Sequence, residues 1–164
     1  MTIQGLSRST AETRLWGSAL GGMLKGHELV LLHGGLGVGK TRFVQGLFAG
    51  MNGDPDEIVS PTFTLMNVHG LPGGGRILHY DLYRLESMSR GRMPEIDDEL
   101  GEALQVVEWA QYLDPRYREL PETVSVTIDF ADSDDRAIRI QSTRLDGPGL
   151  ERELRSRGII LTEA

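Results

Sequence analysis

LVLLHGGLGVGKTRF, residues 29–43, runs four apolar residues into a glycine-dense loop and then closes on a lysine and a threonine. Gly34, Gly39, Lys40 and Thr41 match G-x-x-x-x-G-K-[ST], the phosphate-binding loop, or P-loop. Glycines allow backbone angles that turn successive N–H groups inward, and a following helix adds the positive end of its dipole, so such a loop cradles an anion. On this reading Gly34, Gly37, Val38, Gly39 and Arg42 surround the phosphates, Lys40 reaches the β- and γ-phosphates, and the Thr41 hydroxyl ligates magnesium. A glycine-rich turn between strand and helix has the same local composition. Context favours the loop, because ELVLLH reads as a strand buried on both faces and Phe43, Val44, Leu47, Phe48 and Met51 form one helical stripe. Of the 17 Lys and Arg residues only Lys25 and Lys40 are lysine, so a compact ammonium stands here in a chain that elsewhere uses guanidinium.

The 164 residues, 39% hydrophobic, suit one ordinary globular domain. A net charge of −7 argues against a chain that grips nucleic acid by its phosphates, so any role around RNA is expected to be indirect. The absence of cysteine excludes disulfides, thiolate zinc sites and thiol nucleophiles. The N-terminus carries no apolar signal core and no 18-residue apolar run occurs, which leads to the expectation of a soluble cytoplasmic protein without membrane association.

Along the chain, Ser9 and Glu12 form a capping box ahead of a helix expected to close at Lys25 and Gly26. TFTLMNVH and RILHYDLYRL read as a hairpin joined by GLPGGG. Residues 93–104 read as a helix, and LQVVEW as a short buried strand. TVSVTIDF and RAIRIQST follow as strands, the second with the alternation of a sheet edge, and residues 149–157 as a final short helix.

Holding phosphates does not hydrolyse them; that needs a second anchor for magnesium, a water positioner and a γ-phosphate sensor. Glu108 ends the apolar strand LQVVE and Asp81 ends another, so both are candidates for placing magnesium and water. Each could equally be a capping or solvated acid. Thr62, beside Pro61 in VSPTFT, has the placement of a switch threonine, or of an ordinary strand threonine.

GGLGVGKTRF, SPTFTLMNVH, HYDLYRL and VVEWA, in this order and spacing, resemble the TsaE (YjeE) family, small bacterial P-loop ATPases of tRNA threonylcarbamoyladenosine modification. The similarity runs over residues 9–143. It implies an α/β P-loop fold, three-layered with a mixed sheet flanked by helices, and a single ATPase domain over residues 1–164. It further implies ATP and Mg2+ as ligands, with TsaB and TsaD as partners in modifying adenosine 37 and tRNA met only through that complex. Carried over, Lys40, Asp81 and Glu108 are the catalytic set, with Thr41 and Glu108 at the metal. Trp109 falls on a family tryptophan near the site, and Thr10 and Arg136 match positions that approach the nucleotide. Arg84 could face phosphate charge or a partner. Gly35 stands where the family usually has aspartate, and residues 86–97 are more basic than usual there. Two other classes remain open: a small-molecule kinase with ESMSRGRMPE as its lid, and a nucleotide-dependent binding switch without turnover.

Overall fold

The computed structural model describes residues 1–61, 64–85, 91–132 and 134–163. Thr62, and residues 86–90 of the lid candidate, lie outside them. The P-loop joins two elements: a strand, β2 (Leu29–His33), buried along its whole length, and a helix, α2 (Lys40–Gly50). Around them the chain contributes β1 (Thr2–Ser7), α1 (Thr10–Gly21), β3 (Met66–Gly70), β4 (Arg76–Asp81), α3 (Pro94–Asp97) and β5 (Leu104–Glu108). The order ends with β6 (Thr123–Phe130), β7 (Arg136–Ser142), α4 (Gly147–Ser156) and β8 (Leu161–Thr162).

The strands form one mixed sheet in the order β3-β4-β5-β2-β6-β7-β1-β8. β4, β5, β2 and β6 are parallel neighbours, whereas the pairings β3–β4, β6–β7, β7–β1 and β1–β8 are antiparallel. One face packs Val30, Leu32, Val124 and Ile140 against Trp16, Phe43, Leu47 and Leu150 of the long helices. The other packs Leu31, Tyr80 and Val107 against Ile96, Leu113 and Tyr117, a thinner layer built from α3 and 3-10 turns. The mixed sheet flanked by helices is the expected α/β architecture.

Four local expectations change. RAIRIQST does alternate, but it is not an edge: β1 pairs with it from Thr2 to Ser7, and the wet positions are on one face of an interior strand. α3 spans four residues rather than the whole of 93–104. The acids Asp97, Asp98, Glu99 and Glu102 would crowd the negative end of a longer helix, and Gly101 turns the chain at φ +78°. α1 stops at Gly21, a turn before Lys25. Its capping box is also shifted by one: the Glu12 N–H donates to Ser9 Oγ, but the Glu12 carboxylate accepts from the Arg8 N–H.

The contact that fixes the two long helices is made by glycines. A Cβ on Gly17 would sit 2.1 Å from the Phe43 carbonyl oxygen, and one on Gly21 2.2 Å from that of Leu47. From the other side, Gly46 and Gly50 meet the Arg14 and Ser18 carbonyls at 2.0 and 2.2 Å. Positions advance together on both helices, so α1 and α2 run parallel, backbone against backbone, with both N-termini at the same end. An exposed helical Gly→Ala change normally stabilises by up to about 1 kcal/mol. Gly46→Ala is expected to do the reverse here, costing about 2 kcal/mol or more by overpacking and lowering the melting temperature by several degrees in a thermal scan. An unchanged or raised melting temperature would contradict this packing.

Candidate nucleotide-binding site

The P-loop starts where β2 ends and turns on Gly34, Gly37 and Gly39, whose positive φ values other residues rarely adopt. Gly34 lies 2.4 Å, measured from a built Cβ, from the Ile128 carbonyl oxygen, so the first loop residue must lack a side chain. Gly39 caps α2 at φ +107°, a conformation glycine adopts freely. The Val38 side chain is buried beneath the loop, while its carbonyl accepts a hydrogen bond from Arg136 Nε at 3.1 Å. Arg136 thus grips the loop from the start of β7, with its guanidinium over the Phe130 ring at 4.3 Å.

Lys40 begins α2 and is only 6% exposed. Its ammonium donates to the Gly34 and Gly35 carbonyls at 3.0 and 2.6 Å and lies 3.9 Å above the centre of the Trp109 ring. Burial pushes its pKa below the ordinary lysine value, and the Glu108 and Asp81 carboxylates pull it back up. Trp109 owes its position to a left-handed backbone, φ 60°, that turns the chain sharply at the end of β5. Its ring stacks on Tyr112 at 5.9 Å and tilts against Tyr83 at 4.9 Å, so it forms a fixed apolar wall.

The carboxylates arrive from the sheet. β5 is the neighbour of β2, and β4 lies beyond it with Asp81 in register with Glu108. Glu108 is buried and accepts from Thr41 Oγ1, at 2.9 Å to one oxygen and 3.2 Å to the other. Asp81 accepts from the Ser60 hydroxyl at 2.8 Å and from the Tyr83 N–H at 2.9 Å. Lys40, Thr41, Ser60, Asp81, Glu108 and Trp109 line one cavity of about 370 Å³. Across the loop, a second cavity of about 360 Å³ is lined by Thr10, Thr13, Val38 and Arg136; Gly37, Gly39 and Arg42 border both. Thr10 is the first residue of α1, so the parallel helix pair presents two N-termini to this region. Arg42 also donates to Gln45 Oε1 at 3.1 Å. Arg84 sits on the 3-10 turn just past β4.

Sequence reasoning overlooked two residues here. Ser60 carries no signal of its own in the sequence, where Pro61 only biases it towards extended backbone. His79 is fully buried and its Nε2 lies 2.9 Å from Glu108 Oε1. Strand alternation could have found it, since His79 shares a face of β4 with Asp81.

Among the described residues no group of three or more His, Asp or Glu side chains could hold a metal by itself. Magnesium commonly keeps several waters and is held by one or two protein oxygens plus substrate phosphates. Thr41 Oγ1 and the Glu108 carboxylate, in contact beside the loop, fit that donor set.

The family model for the threonylcarbamoyl adenosine biosynthesis protein TsaE matches residues 7–139. The TsaE protein of Treponema pallidum (strain Nichols) is 36% identical over 127 residues, 75% of this chain and 90% of that one. That of Aquifex aeolicus (strain VF5) is 35% identical over 121 residues, 72% and 80% of the two chains. The crystal structure of Bacillus subtilis YdiB superposes with a TM-score of 0.66 at 22% identity, covering 96% of this chain and 97% of that one, and so shares the fold. The P-loop, the two strand-end carboxylates and the match over most of the chain lead to one assignment: this protein belongs to the TsaE family of threonylcarbamoyl adenosine biosynthesis proteins.

Proposed function

We propose that the chain is a single magnesium-dependent ATPase domain that acts in the cytoplasm with TsaB and TsaD in the threonylcarbamoyladenosine modification of tRNA. The observation that carries the reading is the convergence of Lys40, Thr41, Asp81 and Glu108 on one cavity beside the P-loop. Loop amides and the α2 N-terminus hold the phosphates, and Lys40 exchanges the Gly34 and Gly35 carbonyls for phosphate oxygens, which are stronger, charged acceptors. Thr41 and Glu108 hold magnesium, which when bound neutralises charge on the β- and γ-oxygens. Asp81, fixed by Ser60 and Tyr83, orients the attacking water, and Arg136 keeps the loop in shape through Val38. Thr10 and Arg136 border the nucleoside side. Arg84, on the 3-10 turn three residues past Asp81, faces phosphate charge or a partner surface on this reading. Among the described residues no helix is long and apolar enough to cross a membrane. The family assignment supports the tRNA pathway, and the acidic chain, net charge −7, suits a component whose partners hold the RNA.

Phosphate release measured with and without TsaB and TsaD, beside a screen of acceptor metabolites, tests the whole reading. ATP hydrolysis stimulated by the partners is expected. Phosphate transfer appearing only with an added metabolite would indicate a kinase, and no turnover under any condition a binding switch.

Two substitutions separate the roles. Lys40→Ala is expected to weaken ATP binding by about 100-fold or more, the loss of a charge-assisted contact. Glu108→Ala is expected to bind magnesium-free ATP within about threefold of the parent and, with magnesium present, to lose about 100-fold or more in turnover. Equal loss of binding in both would contradict this division.

Trp109 supplies an optical readout. Moving the Lys40 ammonium off its ring changes its surroundings, whereas Trp16, the other tryptophan, is fully buried with its Nε1 donating to the Leu6 carbonyl. An emission change on adding nucleotide is expected to survive Trp16→Phe and vanish in Trp109→Phe. A signal that follows Trp16 would count against the coupling of Lys40 to phosphate.

A further inference from the structure

Glu108 bears the greatest positional demand in the proposed site, and Thr41 is not its only restraint. His79 stands on β4 two residues before Asp81, with no exposed surface, and touches the same Oε1 that accepts from Thr41. The surrounding positions on this face are apolar: Ile77 on the same strand, Leu104 and Val106 on β5. An imidazole buried among such side chains costs free energy unless its nitrogens are paired. Only one is paired, because His79 Nδ1 has no hydrogen-bond partner among the described residues. The nearest polar ring, His69 on β3, is 6.4 Å away between ring centres. Leucine or phenylalanine would fill this place without leaving a polar atom unsatisfied. The fold therefore carries a cost whose visible return is a single contact.

The hydrogen-bond geometry assigns the tautomer. A carboxylate oxygen only accepts, so the nitrogen 2.9 Å from it carries the proton. The opposite tautomer would set a lone pair against Oε1 and bury an orphaned Nδ1–H. Glu108 is thus held from two sides: the Thr41 hydroxyl from α2 and the His79 Nε2–H from β4. We propose that His79 is a positioning residue whose Nε2–H fixes the Glu108 carboxylate against Thr41, and so sets the magnesium dependence of nucleotide binding and turnover. This rests on the reading of Thr41 and Glu108 as the magnesium-holding pair.

Partners of this kind, one shell behind a metal-associated group, are typically worth about 10–100-fold in metal affinity or activity. The test compares His79→Phe, which keeps the ring shape, with His79→Gln, whose amide reaches the Nε2 position, and His79→Asn, whose amide reaches only Nδ1. ADP affinity is measured with and without magnesium, next to turnover and melting temperature. In His79→Phe and His79→Asn, magnesium-free ADP affinity is expected to stay within about twofold, while the gain from magnesium and the turnover fall by about 10–100-fold. His79→Gln is expected to recover most of both. Nitrogen NMR of the metal-free parent is expected to show His79 as the Nε2–H tautomer with a slowly exchanging proton, lost as a protected signal in Glu108→Ala.

Rescue by asparagine equal to that by glutamine would overturn the proposal, as would a magnesium gain that survives intact in His79→Phe. So would a fall in ADP affinity that is the same with and without magnesium in all three variants, the mark of a structural role. A parent chain that shows no magnesium-dependent gain at all would instead overturn the proposed function, and the role of His79 with it.

Discussion

Two helix backbones approach one another so closely that no side chain fits between them, and the site depends on this contact. Gly17 and Gly21 on α1 lie over the Phe43 and Leu47 carbonyls, while Gly46 and Gly50 on α2 lie over those of Arg14 and Ser18. Interlocking at four points sets the helices parallel and in fixed register, which brings the Thr10 end of α1 beside the Gly39–Lys40 turn. An oxyanion at the loop then meets the positive ends of two helix dipoles rather than one. The sheet supplies the opposite sign. β4 and β5 deliver Asp81 and Glu108 in register, two strands and one strand away from β2 respectively. Helix ends suited to phosphate and strand ends suited to a cation thus meet at the carboxyl ends of the parallel strands, the placement seen in α/β folds generally.

Within that frame the charged groups are restrained before any ligand is considered. Lys40 is bound to two loop carbonyls and covered by Trp109, so its ammonium is desolvated yet never without acceptors. Thr41, Glu108 and His79 form a continuous hydrogen-bonded line from helix α2 into the core. Restraint of this kind lowers the reorganisation that binding and turnover require, which is how a small domain can offer a precise site.

What could be read from the amino-acid sequence was whatever is local. The strand, loop and helix around Lys40 declare themselves because the glycine pattern, the apolar run and the helical stripe lie within a few residues of one another. Asp81 and Glu108 were visible as acids terminating apolar strands. β1 escaped because TIQGLS has no apolar run, and its role, pairing with β7 from the far end of the chain, is non-local. That omission made β7 look like an edge. The glycines at 17, 21, 46 and 50 were passed over inside helical patterns, where glycine reads as a weakness; their purpose exists only when both helices are present. His79 was missed for a related reason: alternation along β4 puts it on the face of Asp81, but its partner Glu108 is on the neighbouring strand.

A structure of the chain with magnesium and a non-hydrolysable ATP analogue is the most direct measurement of the central claim. The expected result is a triphosphate across the amides of residues 37–41, with the Lys40 ammonium moved from the Gly34 and Gly35 carbonyls to phosphate oxygens and the metal beside Thr41 and Glu108. A nucleotide seated elsewhere, or a Lys40 still bound to those carbonyls with the phosphates untouched by it, would contradict it.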